Sequence, residues 1–329
     1  MRFVVLGAGA IGGVVGGRLA QHGHDVVLIA RGAQYESIRD NGLKIESPDD
    51  VATVRMPVVD DPEKIAWTSD DVLLLATKTQ DTEAALDRLS IFAPRTLPIF
   101  CAQNSVSNEP MAMQRFTNVY GVFVWCPADY LTPGSVQVWC APSSGILHLG
   151  CYPAGSNGVA EAVAAAFRAS TFIAEAKSDI MRWKYRKLLS NLGNAVDALC
   201  GNAARGSGIA QRARREGVAC LQAAGISFVA DDEQDAAALE RQVHVRTIGG
   251  VERPGGSSWQ SLRRRLGTIE TDYLNGEIVR LGQQHGVPTP VNALLQYLSQ
   301  RVARERRPPG SVNPDKILIA LDLRQNPLQ

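Results

Sequence analysis

The chain has 329 residues, 45% of them apolar and 20% charged, which is length enough for two domains and a composition that excludes a disordered chain and a membrane bundle. Lys plus Arg number 34 against 33 for Asp plus Glu, a formal net charge of +1, so no field of one sign draws in nucleic acid. Six cysteines without a CxxC pair and histidines without metal spacing point to a reducing cytoplasm and to no metal site.

The first residues, Met1-Arg2-Phe3-Val4-Val5-Leu6, read as a strand rather than a signal peptide, because glycines follow at once and His22, His24 and Asp25 interrupt the apolar stretch. Further apolar runs follow at Val26 to Ile29, Val72 to Ala76 and Leu97 to Phe100. Short runs apolar on both faces are what strands of a buried parallel sheet look like. Ile11 to Gln21 is the first crossover helix. From Asn118 to Gly150 the texture changes to Val- and Trp-rich stretches broken by Thr132-Pro133-Gly134-Ser135, which predicts a hairpin or meander appended to the sheet. Tyr130 to Ala160 lacks charged side chains apart from its flanks, but its prolines, glycines and polar residues could not keep their backbone bonded in lipid, so no segment spans a membrane.

After Gly158 the period becomes helical, over Val159 to Ala169, Lys184 to Cys200, Gly206 to Ala224, Asp231 to Val243, Ser258 to His285 and Pro290 to Arg304. The division falls near Thr171 to Asp179. It gives a nucleotide-binding domain at 1–175, an all-helical domain at 176–310 and a loosely packed tail at 311–329.

Gly7-Ala8-Gly9-Ala10-Ile11-Gly12 fits G-x-G-x-x-G between the first strand and the first helix. Gly7 makes the tight turn, Gly9 lets the backbone approach a pyrophosphate at the helix N-terminus, and Gly12 allows the helix to pack on the strand. This context predicts a doubly wound α/β sheet of Rossmann type that binds a dinucleotide. No carboxylate stands at the tip of the second strand. Arg31 does, and its guanidinium suits a 2′-phosphate, which favours NADP over NAD. Lys78, after the third strand, and Asn104, after the next, stand where ligands bind at the carboxyl ends of parallel strands. Lys187, Asn191 and Asn194 lie at i, i+4 and i+7, on one face if the helix is continuous. Lys184 and Arg186 fall off that face and read as surface. Ser257 or Ser258 reads as an N-cap, and Glu270 as a carboxylate on the same helix.

Taken in order, GxGxxG, Arg31, Lys78, the Gln103-Asn104 pair, Lys187-Leu188-x-x-Asn191 and the Ser257-Ser258…Glu270-x-Asp272-Tyr273-x-Asn275-Gly276 run resemble the ketopantoate reductase family over residues 1 to about 300. The resemblance implies an NADPH-dependent reduction of the ketone of 2-dehydropantoate in pantothenate biosynthesis. On that basis Lys187 is the general acid, while Asn104, Asn191, Asn194 and Ser258 hold the substrate. Glu270 orients the substrate hydroxyl and interacts with the lysine. Gly7, Gly9, Ala10, Ile11, Gly12, Arg31, Lys78 and Asn104 contact the cofactor.

Three positions depart from the family pattern. Asn194 follows Asn191 by three residues rather than four, a displacement of about 100° round a helix. Ser105 stands where a glycine is usual, and Leu262 where an aspartate is common near the substrate. Two alternatives stay open: a reductase of another branched 2-oxo acid or carbonyl on the same scaffold, and a non-catalytic NADP-binding sensor. The partner expected is a small 2-oxo acid, not nucleic acid or membrane, and a homodimer stays open.

Overall fold

In the computed structural model, residues 1–204, 207–231, 233 and 242–325 are described. The chain forms two compact units, one of Met1–Lys184 with Val229–Arg253, the other of Tyr185–Phe228 with Pro254–Gln329.

Among its described residues the first unit carries twelve strands: β1 (Arg2–Leu6), β2 (Asp25–Ile29), β3 (Leu43–Glu46), β4 (Val51–Val54), β5 (Val58–Val59), β6 (Asp71–Leu75), β7 (Ile99–Cys101), β8 (Val119–Trp125), β9 (Ala128–Thr132), β10 (Ser135–Val138), β11 (Gly145–Cys151) and β12 (Phe172–Ile173). Its helices are α1 (Ala10–Gln21), α2 (Gly32–Asn41), α3 (Thr82–Phe92), α4 (Asn108–Met113), α5 (Gly158–Ala169) and the start of α6 (Ile180–Asn191). Eight strands form one sheet in the order β12-β11-β8-β7-β6-β1-β2-β5. All neighbours in it are parallel except β8 and β11. The strand order reverses at β1, with β2 on one side and β6 on the other, which makes the carboxyl ends of β1 and β6 the topological switch point.

Alternation along β1 builds two cores. Phe3 and Val5 join Val14, Val15 and Leu19 of α1 on one face, whereas Val4 and Leu6 join Leu86 and Leu89 of α3 on the other. Burial on both faces explains why β1, β2 and β6 are apolar at every position after the first.

The expected α/β doubly wound sheet is therefore present, with several differences in detail. The predicted hairpin exists, as β9 and β10, yet it belongs to a second sheet of order β4-β3-β10-β9. Its β3 alternates buried Leu43 and Ile45 with exposed Lys44, the signature of a sheet with one wet face.

The second unit is helical among the described residues. It contains the rest of α6, then α7 (Asn194–Cys200), α8 (Ile209–Ala223) and the helices Ser257–Arg263, Asn275–His285, Pro290–Arg304 and Pro314–Gln325. Glu216 of α8 caps the Pro290–Arg304 helix by accepting from the amides of Val291 (2.9 Å) and Asn292 (3.0 Å).

Two helices expected to be continuous are broken. Lys184 to Cys200 divides at Leu192-Gly193, because Asn275 Nδ2 donates to the Leu192 carbonyl (3.1 Å) while the Val196 amide turns to Gly193 (3.0 Å). Ser258 to His285 divides at the left-handed residues Arg265 and Gly267. The expected helix at Asp231 to Val243 falls largely outside the described residues, as does the Gly206 start of the predicted helix before it. The stretch after Arg307, read as a loose tail, is packed over its described residues, which run to 325. The amides of Gly310 and Val312 bond the carbonyls of Ala198 and Leu199 at the end of α7, and Ile317 and Leu321 are buried. Among the described residues no helix is long and apolar enough to cross a membrane.

Candidate functional site

The parallel register levels the strand tips, with Leu6 opposite both Ile29 and Leu75, and Leu75 opposite Cys101. Gly7, Arg31, Lys78 and Asn104 consequently follow the carboxyl ends of four adjacent strands. Gly7 has φ +104°, and a β-carbon there would sit 2.9 Å from the Ala76 carbonyl and the Thr77 amide nitrogen. Only glycine fits. A β-carbon on Gly12 would collide with the Gly7 carbonyl. Around Gly9 there is nothing within 4 Å, so the turn leaves open space at the N-terminus of α1. That opening, beside half-buried Ala10 and Ile11 and the free amides of a helix start, fits a pyrophosphate.

Arg31 is exposed and is the residue that precedes α2. Lys78 is half-buried at the start of a single 3-10 turn, Thr79–Asp81. Asn104 is held by its backbone, since its carbonyl accepts from Asn108 Nδ2 (2.9 Å). Gln103 Nε2 ties the β7 tip to the β6 tip through the Thr77 carbonyl (3.0 Å) and Thr82 Oγ1 (2.8 Å). With its backbone fixed, the Asn104 side chain is left over: Oδ1 is buried and has no hydrogen-bond partner in the protein. Ser105 next to it has φ +78°, a left-handed conformation in which the family's usual glycine would be unstrained.

Lys184, read from the sequence as a surface residue, is buried. Its side chain is 2% exposed and pairs at 2.5 Å with Glu109 of α4, which is 0% exposed. The same ammonium donates to the Gln103 carbonyl (3.0 Å). Burial pushes the Glu109 carboxyl above its usual range, and the adjacent ammonium pulls it back. The signal for Lys184 was in the sequence: Ile180, Lys184 and Leu188 share one helical stripe, and both leucine and isoleucine on it are buried. Its stem lies against the sheet at Gly121, where a side chain would leave little room. Glu109, 75 positions earlier in the chain, carried no local signal of its role.

In the second unit, Asn191 is buried and its Nδ2 lacks a partner, and so does the Oγ of buried Ser258. Lys187 is half-buried one turn before Asn191, with its carbonyl accepting from Ser190 Oγ (2.9 Å). The break at Leu192-Gly193 places Asn194 at the head of α7 and not on the Lys187 helix. There it stands beside Gly256, whose amide donates to Asp197 Oδ2 (3.3 Å). Gly256 is thus the N-cap of the Ser257–Arg263 helix, and neither Ser257 nor Ser258 caps it. Buried Leu262 follows Ser258 by one helical turn. Glu270 is buried and opens a 3-10 turn of its own, Glu270–Tyr273. Among the described residues, no group of His, Cys, Asp and Glu could hold a metal ion.

Two family models cover most of the chain: ketopantoate reductase PanE/ApbA matches residues 3–154, and ketopantoate reductase PanE/ApbA C terminal matches residues 179–303. A 2-dehydropantoate 2-reductase of Pyrococcus horikoshii is 29% identical over 311 residues, covering 91% of this chain and 96% of the relative. Among solved structures, a PanE/ApbA family ketopantoate reductase from Ralstonia eutropha JMP134 superposes with a TM-score of 0.77 at 26% identity, over 93% of this chain and 99% of that one. A D-mandelate dehydrogenase solved with NADH and anilino(oxo)acetate shares the fold with the same TM-score at 23% identity, over 93% of this chain and 99% of its own. With both domain models matched in order along it, the chain belongs to the ketopantoate reductase family of oxidoreductases.

Proposed function

We propose that the protein reduces 2-dehydropantoate to pantoate with NADPH, with Lys187 as the general acid. The observation that carries this reading is the pattern of unpartnered atoms. Asn104 Oδ1, Asn191 Nδ2 and Ser258 Oγ are all buried without a hydrogen bond in the protein. Each such atom costs about 1 to 3 kcal/mol, so a polar ligand atom at each of these expected substrate residues would relieve that cost. Within the second unit the donor and the hydroxyl suit a carboxylate, and within the first the acceptor suits a hydroxyl.

A reduced nicotinamide supplies the hydride in this reaction. The chain's part is to bind and to move a proton: Gly7, Gly9, Ala10, Ile11 and Gly12 receive the dinucleotide phosphates, and Arg31 meets the 2′-phosphate. Lys78 stands close to both ligands. Charge developing on the ketone oxygen is met by the Lys187 ammonium, which gives up a proton to it. Glu270 accepts the substrate hydroxyl and steadies the lysine, while Asn104, Asn191, Asn194 and Ser258 hold the acid.

One observation favours a second reading. Leu262 is apolar and buried on the turn that follows Ser258, which suits a branched 2-oxo acid with no distal hydroxyl. Comparing kcat/KM for ketopantoate and ketoisovalerate decides between them. A strong preference for ketopantoate, up to about 10⁴-fold where a site is built round a hydroxyl, is the expected result. A ratio near one assigns the protein to simple branched acids, and cofactor binding without any turnover assigns it to a sensor role.

A further inference from the structure

We propose that the buried Lys184–Glu109 ion pair is a positioning device that sets the Asn104 loop; the inference rests on reading Asn104 as a substrate ligand. The segment from Cys101 to Glu109 leaves the sheet, reverses through left-handed Ser105 and enters α4. Lys184 clasps both ends of that reversal. At one end its Nζ donates to the carbonyl of Gln103 (3.0 Å), with the Cys101 carbonyl at 3.4 Å, and at the other it pairs with the Glu109 carboxylate at 2.5 Å. Asn104 lies between these attachment points.

The clasp also completes a wider set of ties. Gln103 and Asn108 join the reversal to Thr77, Thr79 and Thr82 beyond β6. Those bonds fix the loop across the carboxyl ends of the strands. Lys184 alone among them reaches the loop from α6, so it sets how far the Asn104 backbone stands off the strand tips. A fully desolvated ion pair is commonly no more stabilising than an apolar pair of the same volume, so stability gives a poor account of this one. Fixing a ligand-binding side chain gives a better account, because a displacement of about 1 Å at a reacting site can cost a hundredfold in rate.

Lys184→Met in the full chain keeps the stem that packs at Gly121 and removes the ammonium. The expected result is a fall of about a hundredfold in kcat/KM for the 2-oxo acid, with the NADPH dissociation constant within about twofold of the parent. Combined with Asn104→Ala, it should add nothing to the loss from Asn104→Ala alone, because both act through one side chain. Additive losses would overturn the proposal, since a merely structural lysine would weaken the enzyme independently of Asn104. Amide hydrogen exchange supplies a readout without turnover: faster exchange confined to 103–109 is expected, and unchanged exchange there overturns the proposal. If the parent protein reduces no 2-oxo acid, the proposed function fails while the exchange comparison still decides the role of the clasp. Should Lys184→Met not fold, Glu109→Gln serves the same comparisons. It keeps an acceptor for the ammonium and should lose less than Glu109→Ala.

Discussion

Gly12 packs so closely on Gly7 that a β-carbon on the former would overlap the carbonyl oxygen of the latter, whereas one on Gly9 would meet nothing within 4 Å. Two glycines of one motif therefore do different work. Gly12→Ala should destabilise the fold by about 3 kcal/mol or more through overpacking against backbone that cannot move aside. Gly9→Ala should leave the melting temperature near that of the parent but weaken NADPH binding by more than about tenfold, because the methyl fills the space a pyrophosphate needs. Thermal melts and cofactor titrations on both variants check this, and similar losses of stability in the two would contradict it.

Arg31 is exposed at the head of α2, so its contact with a 2′-phosphate is open to screening by salt. NADPH should bind about tenfold tighter than NADH at low ionic strength, by roughly 1.5 kcal/mol, and the margin should narrow as salt is added. Arg31→Ala should remove most of it. Equal affinities for the two cofactors in the parent protein would end the assignment of NADP.

Lys187→Ala should lower kcat by about a hundredfold or more while the NADPH dissociation constant stays near its original value, the pattern of a lost proton donor. Steady-state kinetics alongside a cofactor titration separates the two effects. Turnover close to that of the parent would show that the lysine does not donate the proton.

Ser105 pays for a left-handed backbone with a side chain that contributes one local bond, from the Ser107 amide to its Oγ (3.1 Å). Removing the β-carbon in Ser105→Gly should stabilise the protein by about 0.5 to 1 kcal/mol, the relief of φ exceeding the lost bond and the added freedom of the unfolded chain. Chemical denaturation measures it, and a lower midpoint would refute the claim of strain.

The nucleotide half was legible because its signals are local. Apolar runs of four or five residues mark strands buried on both faces, and the glycine spacing marks the turn between β1 and α1. What escaped depended on partners distant in the chain. The stripe of Ile180 and Leu188 marks Lys184 as buried, but its partner Glu109 has no local mark, and the end of α6 is set by Asn275, which takes the Leu192 carbonyl from 83 positions away. The Asn191 to Asn194 spacing did carry a hint, since a shortened interval is what a break in the helix produces. The tail after Arg307 escaped for a similar reason: its order comes from carbonyls that α7 leaves unpaired at its end, which no reading of the tail alone could supply.

The path of the chain between its two units also constrains how the protein can be made and cut. The chain passes from one unit to the other after Lys184, after Phe228 and after Arg253. On the ribosome, the sheet-bearing unit therefore stays incomplete until Arg253 has emerged, because Arg253 is the ion-pair partner (3.1 Å) of Asp129, whose side chain is 0% exposed. Until then that carboxylate has the Trp139 indole (2.8 Å) but lacks the Arg253 guanidinium. A gene shortened to end at the first crossing would lack Arg253 permanently, and a protease that nicks any one crossing would still leave the two units joined by the other two.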